Sequence, residues 1–252
     1  MTEFAVLFPL AFGVGVLVGA IGIGGVLLIP ALAFFAHLGL HEAMATALFT
    51  FIFTGIAGTA LFQRRGSIDW RLSAPVCGGA LLFAFAGAWL NSLSRPKLLA
   101  LALAMLIVFS GIYALASAGR PQHPERIPAQ RNRTALLAAI GAAAGFGSGY
   151  TGVGGPVLSV PLMVLAGFPA FSAIATSQVI QIIAAASGTL GNLQFGTIDY
   201  AIALPLTLFE VCGVYFGVRI AHALPLHALR GCVALACITV GLFLAADVLL
   251  RA

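Results

Sequence analysis

Hydrophobic positions fall into eight long runs: 4–35, 43–62, 72–93, 98–116, 135–165, 171–193, 201–223 and 228–250. A helix of about 20 apolar residues matches a hydrocarbon core about 30 Å thick. The runs lack the strict alternation of membrane barrel strands, so they predict transmembrane helices. Runs 4–35 and 135–165 are overlong, because about 30 residues rising 1.5 Å each would reach about 45 Å. Each is interrupted by glycines, Gly22-Ile23-Gly24-Gly25 and Gly152-Val153-Gly154-Gly155, with Pro30 or Pro156 and Pro161 just beyond. Glycine weakens a helix interior and proline removes a backbone donor. Each long run therefore predicts a helix–turn–helix hairpin, fully spanning or re-entrant, with the glycines at its tip. Non-helical backbone at that depth requires protein or a wet cavity around it.

The two breaks belong to a duplication at a constant shift of 130, as Gly22 to Gly152 shows. Ala45-Thr46 matches Ala175-Thr176, Gly58-Thr59 matches Gly188-Thr189, and Gly66-Ser67-Ile68-Asp69-Trp70 matches Gly196-Thr197-Ile198-Asp199-Tyr200. Pro30 pairs with Pro161, one residue out of register, so the first tip is one residue short. The expected fold is an all-α polytopic membrane protein of two repeats, 1–116 and 135–252, each a glycine-broken helical hairpin plus three transmembrane helices. A linker at 117–134, with three prolines and four arginines, joins them.

Basic residues bear on the orientation of the halves. Loop 63–71 carries Arg64, Arg65 and Arg71, whereas its counterpart 194–200 carries none; Arg219 and Arg230 flank the turn before the last span, and turn 165–171 has none. An inverted arrangement puts nine of the twelve Lys and Arg inside, all but Arg95, Lys97 and Arg251. A parallel arrangement does almost as well by count. The opposite bias of equivalent loops favours inverted repeats, with both termini outside and the linker in the cytoplasm.

Composition agrees with a chain solvated by lipid. Apolar residues make up 61% and charged residues 8%, where a soluble domain carries about a quarter charged. The net charge of +5 sits in short loops as orientation signals, with no basic face interleaved with aromatics, so no nucleic acid partner is expected. Cys77, Cys212, Cys232 and Cys237 lie inside apolar runs without metal-ligand spacing, and no cofactor is expected. The N-terminus lacks a basic leader and cleavage site and is expected to be retained.

Candidate chemistry centres on the tips. Gly22, Gly24 and Gly25, and Gly152, Gly154 and Gly155 with Thr151 before them, can turn tightly and bare their N–H groups. Segments 26–35 and 157–165 would then aim helix N-termini at an anion. A lone motif of this kind more simply allows close helix packing. Its duplication at breaks in overlong segments favours a midplane binding site between the halves. Polar side chains in the next span come second: Thr46 and Thr50, then Thr176, Ser177, Gln178 and Gln181. A single Thr or Ser often bonds its own helix, but mid-membrane amides need partners, and Gln178 and Gln181 share a helix face.

Glu210, whose counterpart is Ala80, is a candidate for proton coupling or for a structural pair with Arg219. Asp69 and Asp199 precede spans as helix caps. Arg64 and Arg65 are explained by orientation, and His37, His41, His222 and His227 show no ligand geometry.

The repeated Gly-x-Gly-Gly…Pro hairpin, the Ala-Thr pair and the Arg-Arg-Gly-Ser-Ile-Asp-Trp loop (64–70) resemble the sulfite exporter TauE/SafE family of membrane permeases, over essentially the whole chain. The resemblance implies a multi-pass protein of the cytoplasmic membrane that moves small sulfur-containing or carboxylated anions such as sulfite and organosulfonates. Where many members have a further glycine, the first motif here reads Gly-Ile-Gly-Gly-Val, which implies an asymmetric site. The expected function is secondary transport by alternating access, with an anion channel or an organic-anion permease on the same scaffold as alternatives. Partners are the anion and the bilayer, with self-association left open. No Walker A sequence, His-Glu-x-x-His or intramembrane serine-protease motif is present, so an enzyme is not expected.

Overall fold

The computed structural model describes residues 2–118, 130–195, 197–223 and 227–250, which form helices and short connections without a strand. The first half comprises α1 (Thr2–Ile21), a 3-10 turn (Gly24–Leu27), α2 (Leu28–Phe35), α3 (Leu40–Arg64), α4 (Trp70–Leu93) and α5 (Pro96–Ala118). The second comprises α6 (Gln130–Thr151), α7 (Pro156–Leu165), α8 (Ala170–Phe195), α9 (Tyr200–Ala223) and α10 (His227–Leu250). α3, α4, α5, α8 and α9 are each long and apolar enough to cross a membrane. α5 and α6 reach into the two ends of the stretch 117–134; positions 119–129 lie outside the described residues.

Local chemistry sets the boundaries. The Asp69 carboxylate accepts from the Arg71 N–H at 2.9 Å to cap α4, and Asp199 accepts from the Ile202 N–H at 3.1 Å to cap α9, as the sequence predicts. Helices α1 and α6 stop at Gly22 (φ +78°) and Gly152 (φ +74°), left-handed positions that end a helix and suit glycine. The chain then folds back, so each overlong run is a hairpin, as expected. The two tips differ in detail. Gly24 enters the 3-10 turn, whereas Gly154 takes a second left-handed step (φ +82°) and Pro156 opens α7 directly. The one-residue slip between Pro30 and Pro161 is the sequence trace of this difference.

The halves interlock through exchanged contacts. α1 lies along α9, and α4 lies along α6, which is the same pairing with the halves swapped. Both pairs run parallel and meet backbone to backbone: Gly15 on Glu210 and Gly217 on Val16 in one, Gly141 on Val76 and Gly149 on Ala84 in the other. Lipid supplies no hydrophobic drive between helices, so such approach of small residues holds them by close packing. The counterpart helices α3 and α8 cross antiparallel, with Leu48 near Gly188 and Gly58 near Gln178. The counterparts α5 and α10 are also antiparallel, with Val108 near Gly241 and Gly111 near Ile238.

Polarity is inside out relative to a soluble domain. Leu82, Met105, Leu208 and Leu235 point outward, whereas Thr46, Thr50, Thr176, Ser177, Gln178, Gln181 and Glu210 are buried. Large exposed apolar surface with hydroxyls and amides inside is the distribution a bilayer demands.

Candidate functional site: paired glycine tips at a helix crossing

The tips approach from opposite sides and meet where α3 crosses α8. A Cβ at Gly25 would stand 3.2 Å from the Val153 carbonyl oxygen of the other tip. Phe51 of α3 is a wedge between them: its ring faces Gly25 at 2.9 Å and Gly154 at 3.2 Å, measured to the same Cβ positions. Gly22 faces Ser177 Oγ at 3.1 Å, Gly152 faces Met44, and Gly155 faces Ile180 of α8. Val18, Gly22, Gly25, Phe51, Val153, Pro156 and Gln181 enclose a small gap with no space for a water molecule. The site is closed.

Gln181 of α8 reaches across to α3. Its amide donates to Thr54 Oγ1 at 2.7 Å and to the Phe51 carbonyl at 3.3 Å. Gln178 donates to the Val18 carbonyl at 3.2 Å, just ahead of the first tip. Its Oε1 is buried without a partner among the described residues, directly against Gly58, where any side chain would collide with it. An unsatisfied buried carbonyl costs about 1–3 kcal/mol.

The remaining predicted residues divide by position. Thr151 and Ser177 flank the tips, and each hydroxyl donates to its own helix, at Gly147 and Ile174. Thr50 does likewise to Ala47 and also stands beside Glu210. Thr46 and Thr176 lie toward the helix ends. Thr46 Oγ1 accepts from the Asp199 N–H at 3.2 Å, and Thr176 Oγ1 accepts from Ser73 at 3.4 Å. These counterparts tie α3 and α8 to the starts of α9 and α4.

Glu210 is fully buried at mid-helix beside the Thr50 hydroxyl, and neither oxygen meets a hydrogen bond of good geometry among the described residues. Its suggested partner Arg219 instead covers the Tyr215 ring at 4.4 Å, a cation–π contact.

Phe51 and Thr54 were not singled out from sequence. The four-residue spacing of Thr46, Thr50 and Thr54 was a legible signal for Thr54. Phe51 gave none, being one phenylalanine of 19. Asn91 was also missed: it donates to the Tyr150 carbonyl at 2.7 Å and pairs with His41 Nδ1 at 2.9 Å. That network clamps α4 to α3 and α6 near one end of the bundle.

Paired broken hairpins crossing inside a lipid-facing bundle define a polytopic helical membrane protein with a central, protein-lined break in its spans. Comparison with known sequences makes the assignment specific. The family described as “Sulfite exporter TauE/SafE” matches residues 7–244, and the chain belongs to that family. It is similar to the probable membrane transporter protein YdhB of Bacillus subtilis, 28% identical over 92% of this chain and 96% of that protein. It also resembles the probable membrane transporter protein MJ0441 of Methanocaldococcus jannaschii, 24% identical over 86% of each chain. A third relative, YunE of Bacillus subtilis, also named a probable membrane transporter protein, is 24% identical over 88% of each. No solved structure matches the chain. The protein is thus a multi-pass membrane transporter of the TauE/SafE family.

Proposed function

We propose that this chain is a secondary transporter of small sulfur-containing anions, such as sulfite or organosulfonates, working by alternating access around the two glycine tips. The observation that carries this reading is their convergence on Phe51 and Gln181, with Gly25 against Val153. The 3-10 turn at Gly24, the N-terminus of α7 and the amides of Gln178 and Gln181, which here donate to Val18, Phe51 and Thr54, would offer an oxyanion neutral donors once the site opens. The antiparallel pairing of α3 with α8 and of α5 with α10 supports reading the halves as inverted repeats. Rocking one half against the other would then open the tips to either face. The sulfur substrate follows the family.

Uptake of radiolabelled sulfite into proteoliposomes tests the proposal. Saturable uptake above empty vesicles is expected. A flux indistinguishable from empty vesicles for sulfite, sulfoacetate and taurine would remove the substrate assignment, and a flux that never saturates would point to a channel.

A further inference from the structure

We infer that Glu210 is a proton-binding site that couples proton movement to anion transport through Thr50 and the adjoining tip wedge, Phe51. The inference rests on the transport reading above. Glu210 lies in the middle of α9, fully buried, with the Thr50 hydroxyl beside its carboxyl and no hydrogen bond of good geometry to either oxygen among the described residues. The elements packed against it offer no counter-charge. From α1 it meets Gly15 backbone to backbone, and from α3 it meets Thr50, whose hydroxyl is already committed to the Ala47 carbonyl. No Asp, Glu, Lys, Arg or His occurs among the described side chains of α1, and those of α3 (His41, Glu42 and Arg64) lie in its terminal turns. On α9 itself Arg219 is engaged by Tyr215, His222 in the last turn is paired with the Val218 carbonyl and Ser67, and Cys212 is exposed on the outer surface. A bare carboxylate has nothing here to balance it, and burying one unpaired is prohibitive. The neutral acid, one proton bound and charge zero, is the form that fits this closed packing.

The chain supplies its own control for a structural role. In the duplicated contact Gly145 packs on the backbone of Ala80 as Gly15 packs on Glu210. The counterpart of Thr50 is Ile180, equally buried. The same helix pairing is therefore built with alanine and isoleucine in one half and with a carboxyl and a hydroxyl in the other. Packing does not require the polar pair. What the pair adds is a titratable charge one residue removed, through Thr50, from the wedge between the tips. An ionised Glu210 would repel an anion bound there, the more strongly in a low dielectric. Taking up a proton forms an O–H bond, removes that repulsion and permits closure. Releasing it requires the site to open to water, and in this way the two ions travel together.

The test uses the full-length protein, wild type, Glu210→Gln and the double variant Glu210→Ala/Thr50→Ile, which copies the other half. Radiolabelled sulfite is the transport probe, with an imposed inward proton gradient. Wild-type accumulation should rise with the gradient, and both variants should lose that response by roughly ten-fold or more. Infrared spectroscopy reads the proton directly and without any substrate. Wild type should show the C=O band of a buried protonated carboxyl, absent from both variants. The double variant should elute and melt as a folded protein, because its half-interface already exists in the chain. Absence of that band in wild type, or a gradient response in Glu210→Gln equal to wild type, would overturn the assignment. A wild type that shows the band yet moves no sulfite would instead reject the sulfite reading and leave the proton site standing.

Discussion

At the residue scale, the candidate site depends on a few side chains that reach between the halves. Gln181 is the most informative, because it contacts both Thr54 and the Phe51 backbone beside the tips. Replacing Gln181 by Leu keeps its bulk and removes its donors. Sulfite uptake is expected to fall roughly ten-fold or more, as losing one or two hydrogen bonds to a charged ligand entails, while the protein remains folded on size exclusion. Gly154 gives a stability test. Its left-handed φ of +82° and its contact with Phe51 should make Gly154→Ala destabilising by about 1–2 kcal/mol in a thermal or denaturant melt. Much of this chemistry was legible in sequence, since amides and a carboxylate inside apolar runs announce themselves. Phe51 was not, because a wedge and a lipid-facing ring are the same letter in an apolar run. The Thr46 and Thr176 hydroxyls were assigned to the site by their proximity in sequence to the tips. Their partners at Asp199 and Ser73 lie in the other half, and only the tertiary fold reveals such contacts.

At the element scale, the pairs α1–α9 and α4–α6 are set by glycines that admit a facing backbone. Neighbouring glycines of α4 separate this effect from helix propensity. Gly79 abuts the Ala138 carbonyl, whereas Gly78 has open space around it. Gly79→Ala should therefore destabilise by about 1–3 kcal/mol through overpacking, and Gly78→Ala should be neutral or stabilise by up to about 1 kcal/mol, both read as shifts in melting temperature. The hairpins were legible because runs 4–35 and 135–165 exceed one span and carry glycine breaks. The differing form of the two tips was legible only as the displaced Pro30. A missing residue shows that the turns differ, but the backbone decides that one becomes a 3-10 turn.

At the scale of the whole molecule, the duplication places each half's hairpin against the partner half's fourth helix, so neither half completes its packing alone. The antiparallel crossing of α3 and α8 predicts that the equivalent loops 65–69 and 197–199 emerge on opposite membrane faces. Single cysteines at Arg64 and Thr197, in a background lacking the four native cysteines, should label from opposite sides with an impermeant maleimide. Labelling of both from one side would contradict inversion. The basic residues already favoured this arrangement in the sequence, by bias between loops rather than by count.

We propose that the two tips together hold an oxyanion. Equilibrium binding of radiolabelled sulfite to the purified protein, wild type against Gln181→Leu, tests it most directly. Saturable binding to wild type, weakened roughly ten-fold or more in the variant, is the predicted result. Wild-type protein that binds neither sulfite nor sulfoacetate, or a variant that binds as tightly as wild type, would contradict it.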